Sequence, residues 1–216
     1  MSGILDLLFP RVCYGCHRPG SYLCPRCSSL LTVQSFSPSQ PDASLYGHLS
    51  LFAYKSSLKK LIHDLKYHFL SDSIEIIGQL IANSITSDFP HFLSDWKNNN
   101  YCLTPVPLHP LKRNWRGFNQ SDLIAKNFTT KLGLKYIPDL LFRTHYTKPQ
   151  VKQLKKSDRF SNVAGVFSVN PKYLLTLPKN IIIFDDVFTT GSTIKAAAKA
   201  LKERGADTII GLTLAG

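Results

Sequence analysis

Two short stretches concentrate the residue types that could do chemistry. The first, CYGCHRPGSYLCPRC, puts Cys13, Cys16, Cys24 and Cys27 within one short segment. A CxxC spacing lets two thiolates grip one ion while nearby backbone N–H groups hydrogen-bond the sulfurs. Two such pairs make a closed tetrahedral four-cysteine site, the structural form for zinc. A closed site leaves no open coordination position, so the implied metal is structural, not catalytic. The gap between the pairs is shorter than a usual ribbon linker, which predicts a compact module. Two disulfides or a redox CxxC are the competing readings. A chain without an export signal keeps its thiols reduced, and a redox pair needs no second pair beside it, so zinc is favoured.

The second stretch is IIIFDDVFTTGST, residues 181–193. Four apolar residues end in Asp185 and Asp186, two carboxylates that repel each other at a strand end. A ribose offers two adjacent hydroxyl donors to such a pair. Behind the acids, Thr189, Thr190, Gly191, Ser192 and Thr193 open a helix. Free backbone N–H groups and the positive end of the dipole there form a seat for a phosphate. Acids for a diol and amides for a phosphate, one turn apart, match the two ends of a ribose 5-phosphate. An N-capped helix with an acidic lead-in would explain one or two of these polar residues, but not six with a glycine among them. The Lys of a P-loop and the glycine spacing of a dinucleotide turn are both missing.

The surrounding elements must place these groups. Residues 33–48 are rich in Ser and Pro and read as a connector. Leu58, Leu61, Ile62, Leu65 and Phe69 recur at helical spacing, as do Ile74, Ile77, Ile81 and Ile85; core packing explains both helices. From residue 101 strands and helices alternate. YCLTPV, YIPDLLF, VAGVFSV, NIIIF and DTIIGLTL read as strands, and NQSDLIAKNFTTKLG and STIKAAAKALKERG as helices. Strand–helix–strand order predicts a parallel α/β sheet with right-handed crossovers, and ligands at the carboxyl ends of its strands.

The chain carries a net charge of +12, and nine of those charges lie in residues 101–160, where twelve Lys or Arg face three Asp. A solvated basic face would explain a lone basic run. Beside a phosphate-binding signal, an anion site for phosphates or nucleic acid is the better reading. Tyr14, Tyr22, Trp115 and Phe118 stand near basic residues and could stack bases, with core packing as the alternative. No apolar run approaches the ~20 residues of a membrane span, and the N-terminus lacks a signal-peptide core, which predicts a cytoplasmic protein.

The chain resembles the ComF family, competence-associated proteins that are similar to type I phosphoribosyltransferases and carry an N-terminal zinc finger. Five motifs carry the resemblance in order: the paired knuckles, LKKLIHDLKYH, PVPLHPLKRNWRGFNQSDLIA, LLFRTHYTKPQVKQLKKSDRFSNVAGVF and IIIFDDVFTTGST. It implies a parallel-sheet phosphoribosyltransferase fold over residues 51–216, a connector at 33–50 and a four-cysteine zinc module at 1–32. It implies binding of phosphoribosyl pyrophosphate (PRPP) by Asp185, Asp186, Val187, Phe188, Thr189, Thr190, Gly191, Ser192 and Thr193. A pyrophosphate loop follows from Val106, Pro107, Leu108, His109, Lys112, Arg113 and Arg116. A mobile hood would contribute Thr147, Gln150 and Arg159. If transfer occurs, pyrophosphate leaves the anomeric carbon with magnesium upon it, and Asp185, Asp186 and Arg113 would serve as catalytic residues. His109 stands near the right loop for a base, though a packing role is the simpler reading. Implied partners are single-stranded DNA and proteins of the DNA-uptake machinery in natural transformation. An active transferase with an unknown acceptor, or a catalytically silent PRPP sensor, are the alternatives.

Overall fold

The computed structural model describes residues 11–41, 43–67, 73–108, 117–144 and 165–216. A continuous apolar run builds its centre. Strand β7 (Asn180–Val187) carries Ile181, Ile182, Ile183 and Phe184, all fully buried, as expected of a strand covered on both faces. β7 pairs in parallel with β8 (Thr208–Ala215) on one side and β3 (Cys102–Pro105) on the other. β2 (Gly47–Phe52) extends the sheet beyond β8, and β4 (Lys135–Tyr136) beyond β3, both in parallel. β1 (Phe36–Pro38) closes the β2 edge antiparallel, giving the order β1-β2-β8-β7-β3-β4. This is the parallel-sheet α/β architecture that the alternating pattern predicts.

Alternate side chains of the strands serve two cores. Ile182, Phe184, Leu103, Ile210 and Leu212 meet the helices α2 (Ser56–Tyr67), α3 (Ser73–Ser87), α4 (Pro90–Asn98) and α5 (Gln120–Leu132). Ile181, Ile183 and Ile209 meet α6 (Ser192–Lys202) through Ile194, Ala197, Ala198 and Leu201. Leu58, Leu61, Ile62 and Leu65 of α2 are all but wholly buried, each contributing about 1.5–3 kcal/mol relative to exposure. That anchorage fixes the exposed and half-buried side chains of the same helix.

Three local expectations change. The Ser- and Pro-rich stretch holds β1 and leads directly into β2, because an edge strand tolerates the proline that ends β1. The run YIPDLLF is not one strand. Its first part is β4 of the main sheet; Leu141–Arg143 forms β5, paired antiparallel with β6 (Phe167–Val169) in a separate two-stranded sheet. Helix α4, with Trp96 buried in its last turn, is not expected from the sequence, since its apolar positions are too few to show a helical period. Among the described residues no helix is long and apolar enough to cross a membrane.

The topology positions the site. The chain leaves β3 through α5 toward β4 at one edge, and leaves β7 through α6 toward β8 in the other direction. Adjacent parallel strands whose connections depart in opposite directions open a crevice at their carboxyl ends. Pro105 lies opposite Phe184 in register, so the residues after both strands meet at that crevice.

Candidate ribose phosphate site and metal centre

Asp185 and Asp186 stand at the end of β7 on alternate faces of the strand. Asp185 Oδ1 accepts two hydrogen bonds, from Ser121 Oγ at 3.0 Å and from the backbone N–H of Asp186 at 2.9 Å. Burial pushes its carboxyl up to about 7, and the neighbouring Asp186 carboxylate adds to the rise. The Asp186 N–H, the Lys66 ammonium and the Ser121 hydroxyl pull in the other direction without cancelling it. Asp186 is buried, and its Oδ2 lies 2.5 Å from Lys66 Nζ, delivered by the last turn of α2. That oxygen has no aligned hydrogen-bond partner among the described residues, so Lys66 supplies charge more than direction.

Behind the acids the loop 188–191 enters α6. Gly191 is the cap residue with φ 69°, a left-handed conformation that a side chain strains. A Cβ there would come within 2.3 Å of the Phe188 ring. The cap residue itself offers no side-chain acceptor, and the Ser192 N–H donates to Thr190 Oγ1 at 3.4 Å. Thr190 Oγ1 donates to Ser192 Oγ at 3.0 Å. Asp185, Val187, Thr189, Gly191, Ser192 and Thr193 line one cavity of about 20 Å³ with Phe188 and Ile194. The structure therefore brings Asp185 to one cavity with Thr189, Ser192 and Thr193, whereas Asp186 and Thr190 do not line it. The Phe188 ring stacks on His48 of β2, with ring centroids 3.7 Å apart. His48 Nε2 lies 3.1 Å from Ser50 Oγ, which lies 2.8 Å from Thr213 Oγ1, so a polar chain braces the loop from below.

On the β3 side, Val106, Pro107 and Leu108 start at the same crevice. The Val106 N–H donates to the Phe184 carbonyl at 2.8 Å. Asn119 clasps both elements: its Nδ2 donates to the Val106 carbonyl at 3.0 Å, and its Oδ1 accepts from the Ser121 N–H as the N-cap of α5. His109, Lys112, Arg113 and Arg116 lie outside the described residues, as do Trp115 and the hood residues Thr147, Gln150 and Arg159. Arg143 of β5 packs over the Phe167 ring and feels the Asp185 charge.

Sequence reasoning missed Lys66, Ser121, Asn119 and His48. Lys66 lies in a helix read only for its apolar stripe. Ser121 and Asn119 stand at the start of a helix read only for its apolar side, and no local pattern ties a helix start to an acid far along the chain.

The four cysteines converge as their spacing predicts. One sulfur from each of Cys13, Cys16, Cys24 and Cys27 lies within 4.8 Å of the others, and no disulfide joins the described cysteines. Cys24 starts the short helix α1 (Pro25–Ser28), and its N–H donates to Cys13 Sγ at 3.4 Å. Gly15 is the residue the knuckle needs, because a Cβ there would meet Cys27 Sγ at 2.6 Å. Burial works to raise the Cys13 thiol, but the N–H groups of Cys24, Cys16 and Gly15 outweigh it and bring it to about 6. Burial pushes Cys27 up to about 12, and the neighbouring sulfurs add to that. A set of four sulfur donors this close together fits zinc, which would displace the remaining protons. Tyr14 and Tyr22 stack at 6.0 Å beside the cluster, with Lys60 of α2 4.9 Å above the Tyr14 ring. Both rings, and Phe118, pack against the main core.

No family model matches the chain. Competence protein F of Haemophilus influenzae is 30% identical over 107 residues, covering 50% of this chain and 46% of that protein. Competence protein ComFC of Bacillus subtilis is 28% identical over 216 residues, covering 93% of this chain and 82% of that protein. The DNA utilization protein YhgH of Escherichia coli K12 is 28% identical over 204 residues, covering 90% and 84%. The chain thus spans about half of the first of these relatives and more than four fifths of the other two. Among solved structures, the allosteric regulatory enzyme of purine biosynthesis aligns at 18% identity with a TM-score of 0.34, over 52% of this chain and 21% of that one. With a four-cysteine cluster, a parallel α/β sheet and competence proteins aligned over most of its length, the chain is similar to the ComF family of competence proteins.

Proposed function

We propose that this protein binds PRPP or a related ribose 5-phosphate at the carboxyl end of β7 and serves DNA uptake in natural transformation. The observation that carries the reading is the joining of Asp185, Gly191, Ser192 and Thr193 around one cavity at the first turn of α6. The acids accept the ribose hydroxyls, and the amides and hydroxyls of residues 189–193 take the 5-phosphate. Val106, Pro107 and Leu108 would face the pyrophosphate, with Lys112, Arg113 and Arg116 as its charge partners. Thr147, Gln150 and Arg159 are the proposed hood contacts. The protein-side donors are oxygens, the kind magnesium takes, but Asp186 already holds an ammonium. Magnesium accordingly enters with the pyrophosphate of the ligand, not as a resident ion.

The competence and DNA utilization relatives, with the +12 charge, support a further role in handling single-stranded DNA in the cytoplasm beside the uptake machinery. The phosphate backbone supplies most of such affinity. The units proposed are the zinc module at 1–32 and the ligand-binding domain at 51–216, with 33–50 joining them and lending β1 and most of β2 to the domain's sheet.

Calorimetry with magnesium–PRPP and with ribose 5-phosphate tests the site. Saturable binding to wild type, lost in the Asp185→Asn, Asp186→Asn double variant, is expected. Equal binding by that variant refutes the reading. Assay of pyrophosphate release with candidate acceptors then separates a transferase from a silent binding protein.

A further inference from the structure

We propose that Lys66 is a positioning residue of this site: its ammonium, laid by α2 on the Asp186 carboxylate, cancels one of two adjacent negative charges, admitting an anionic sugar phosphate whose ribose diol the two acids hold. The proposal rests on the ribose phosphate reading above. Two unscreened carboxylates at the mouth of a crevice would repel a ligand whose own phosphates are negative. One fixed cation removes half of that repulsion without occupying the phosphate seat, which lies at the other end of the site, on α6.

Three features make the placement specific. Lys66 follows Leu65, and the buried stripe of α2 holds the helix rigidly in the core, so the ammonium does not choose its position from solvent. The contact is largely desolvated, with side-chain exposures of 22% for Lys66 and 6% for Asp186, so water and salt screen it little. α2 is braced from outside as well, since Lys60 lies over Tyr14 and Asp64 interacts with the same tyrosine beside the cysteine cluster.

The charge balance around Asp185 shows what Lys66 changes. From β7, Asp186 raises it; from α5, Ser121 lowers it; from α2, Lys66 lowers it; from β5, Arg143 faces it. Without Lys66 the balance moves toward protonation. A proton taken up by the pair at neutral pH turns an acceptor for ribose hydroxyls into a donor.

The test compares Lys66→Met and Lys66→Arg with wild type, by calorimetry against ribose 5-phosphate and PRPP. Titrations run from about pH 6 to about pH 9, alone and in an Asp186→Asn background. Lys66→Met is expected to weaken both ligands at least about tenfold near neutral pH and to move the half-binding pH upward, toward the rise expected of Asp185. Lys66→Arg restores both, because it returns the charge. In the Asp186→Asn background Lys66→Met adds little further loss. If Lys66→Met loses its near-UV circular dichroism, Lys66→Gln, which keeps length and polarity without charge, carries the same expectations. Wild-type binding that Lys66→Met leaves unchanged in strength and pH profile overturns this proposal and spares the ribose phosphate reading. Wild type that binds neither ligand overturns both.

Discussion

Replacing Asp185 by Asn should make the protein more stable and less able to bind its ligand, and the two effects together test the account of the acid pair. Asn is nearly isosteric and keeps the acceptor that Ser121 Oγ and the Asp186 N–H use. It removes only the charge that burial and Asp186 disfavour. The Asp185 carboxyl is raised from 3.8 to about 7. At about 1.4 kcal/mol per unit, full expression of that rise costs the ionised protein about 4 kcal/mol. Water reaching the crevice reduces this, and about 1–2 kcal/mol is the expected gain, or roughly 3–6 °C in Tm for a chain of this size. Because the folded pKa is raised, the Asp185 contribution is most favourable below its unfolded pKa of about 4 and is lost as pH rises through about 7. The advantage of Asp185→Asn over wild type should therefore be small near pH 4.5 and grow to a plateau above about pH 7.5. Urea or thermal unfolding at several pH values measures it, with calorimetry on PRPP in parallel. A variant that is less stable than wild type at pH 8, or whose difference does not change with pH, refutes the claim that this carboxylate is held against its own burial.

Three further outcomes follow from other sites. Cys13→Ser should lower zinc content, read by atomic emission, and lower Tm, because a three-thiolate set binds the ion more weakly; a well-folded variant with full metal content refutes the four-thiolate centre. Gly191→Ala should cost about 1–2 kcal/mol from its left-handed backbone alone, more from the Phe188 ring 2.3 Å away, and Phe188→Leu in the same chain should recover part of the packing loss. Single-stranded DNA affinity should fall at least about tenfold between about 50 and about 200 mM salt, while Asp185→Asn with Asp186→Asn leaves it largely intact; a flat salt profile refutes backbone-charge recognition.

Much of the arrangement was legible in the sequence because it depends on near neighbours. The cysteine spacing sets the knuckles, since CxxC leaves little freedom for where two thiols point. The four-residue apolar run of β7 marks a central parallel strand, and the polar run after it marks the site, because strand end, loop and helix start are contiguous. The strand pattern after residue 101 was read less well. Lys135–Tyr136 and Leu141–Arg143 are separated by a turn that puts them in different sheets, and no local preference distinguishes that from one longer strand. β1 reads as connector because Ser and Pro suit turns, yet its edge position requires few ladder bonds.

The sequence by itself determined which groups stand ready for chemistry: a four-thiolate cluster, a diacid at a strand end, and hydroxyls with a glycine at a helix start. Each is set by bond geometry over a few residues. Only the tertiary structure decided what faces them. Lys66 meets Asp186, Ser121 meets Asp185 and His48 meets Phe188 across separations that local preference does not encode. Those meetings follow from the strand order and from which helix face is buried, both of which minimise exposed apolar area over the whole chain. The charge state of the acid pair is thus a property of the assembled sheet, because the cation that offsets it arrives on a helix placed by its leucines.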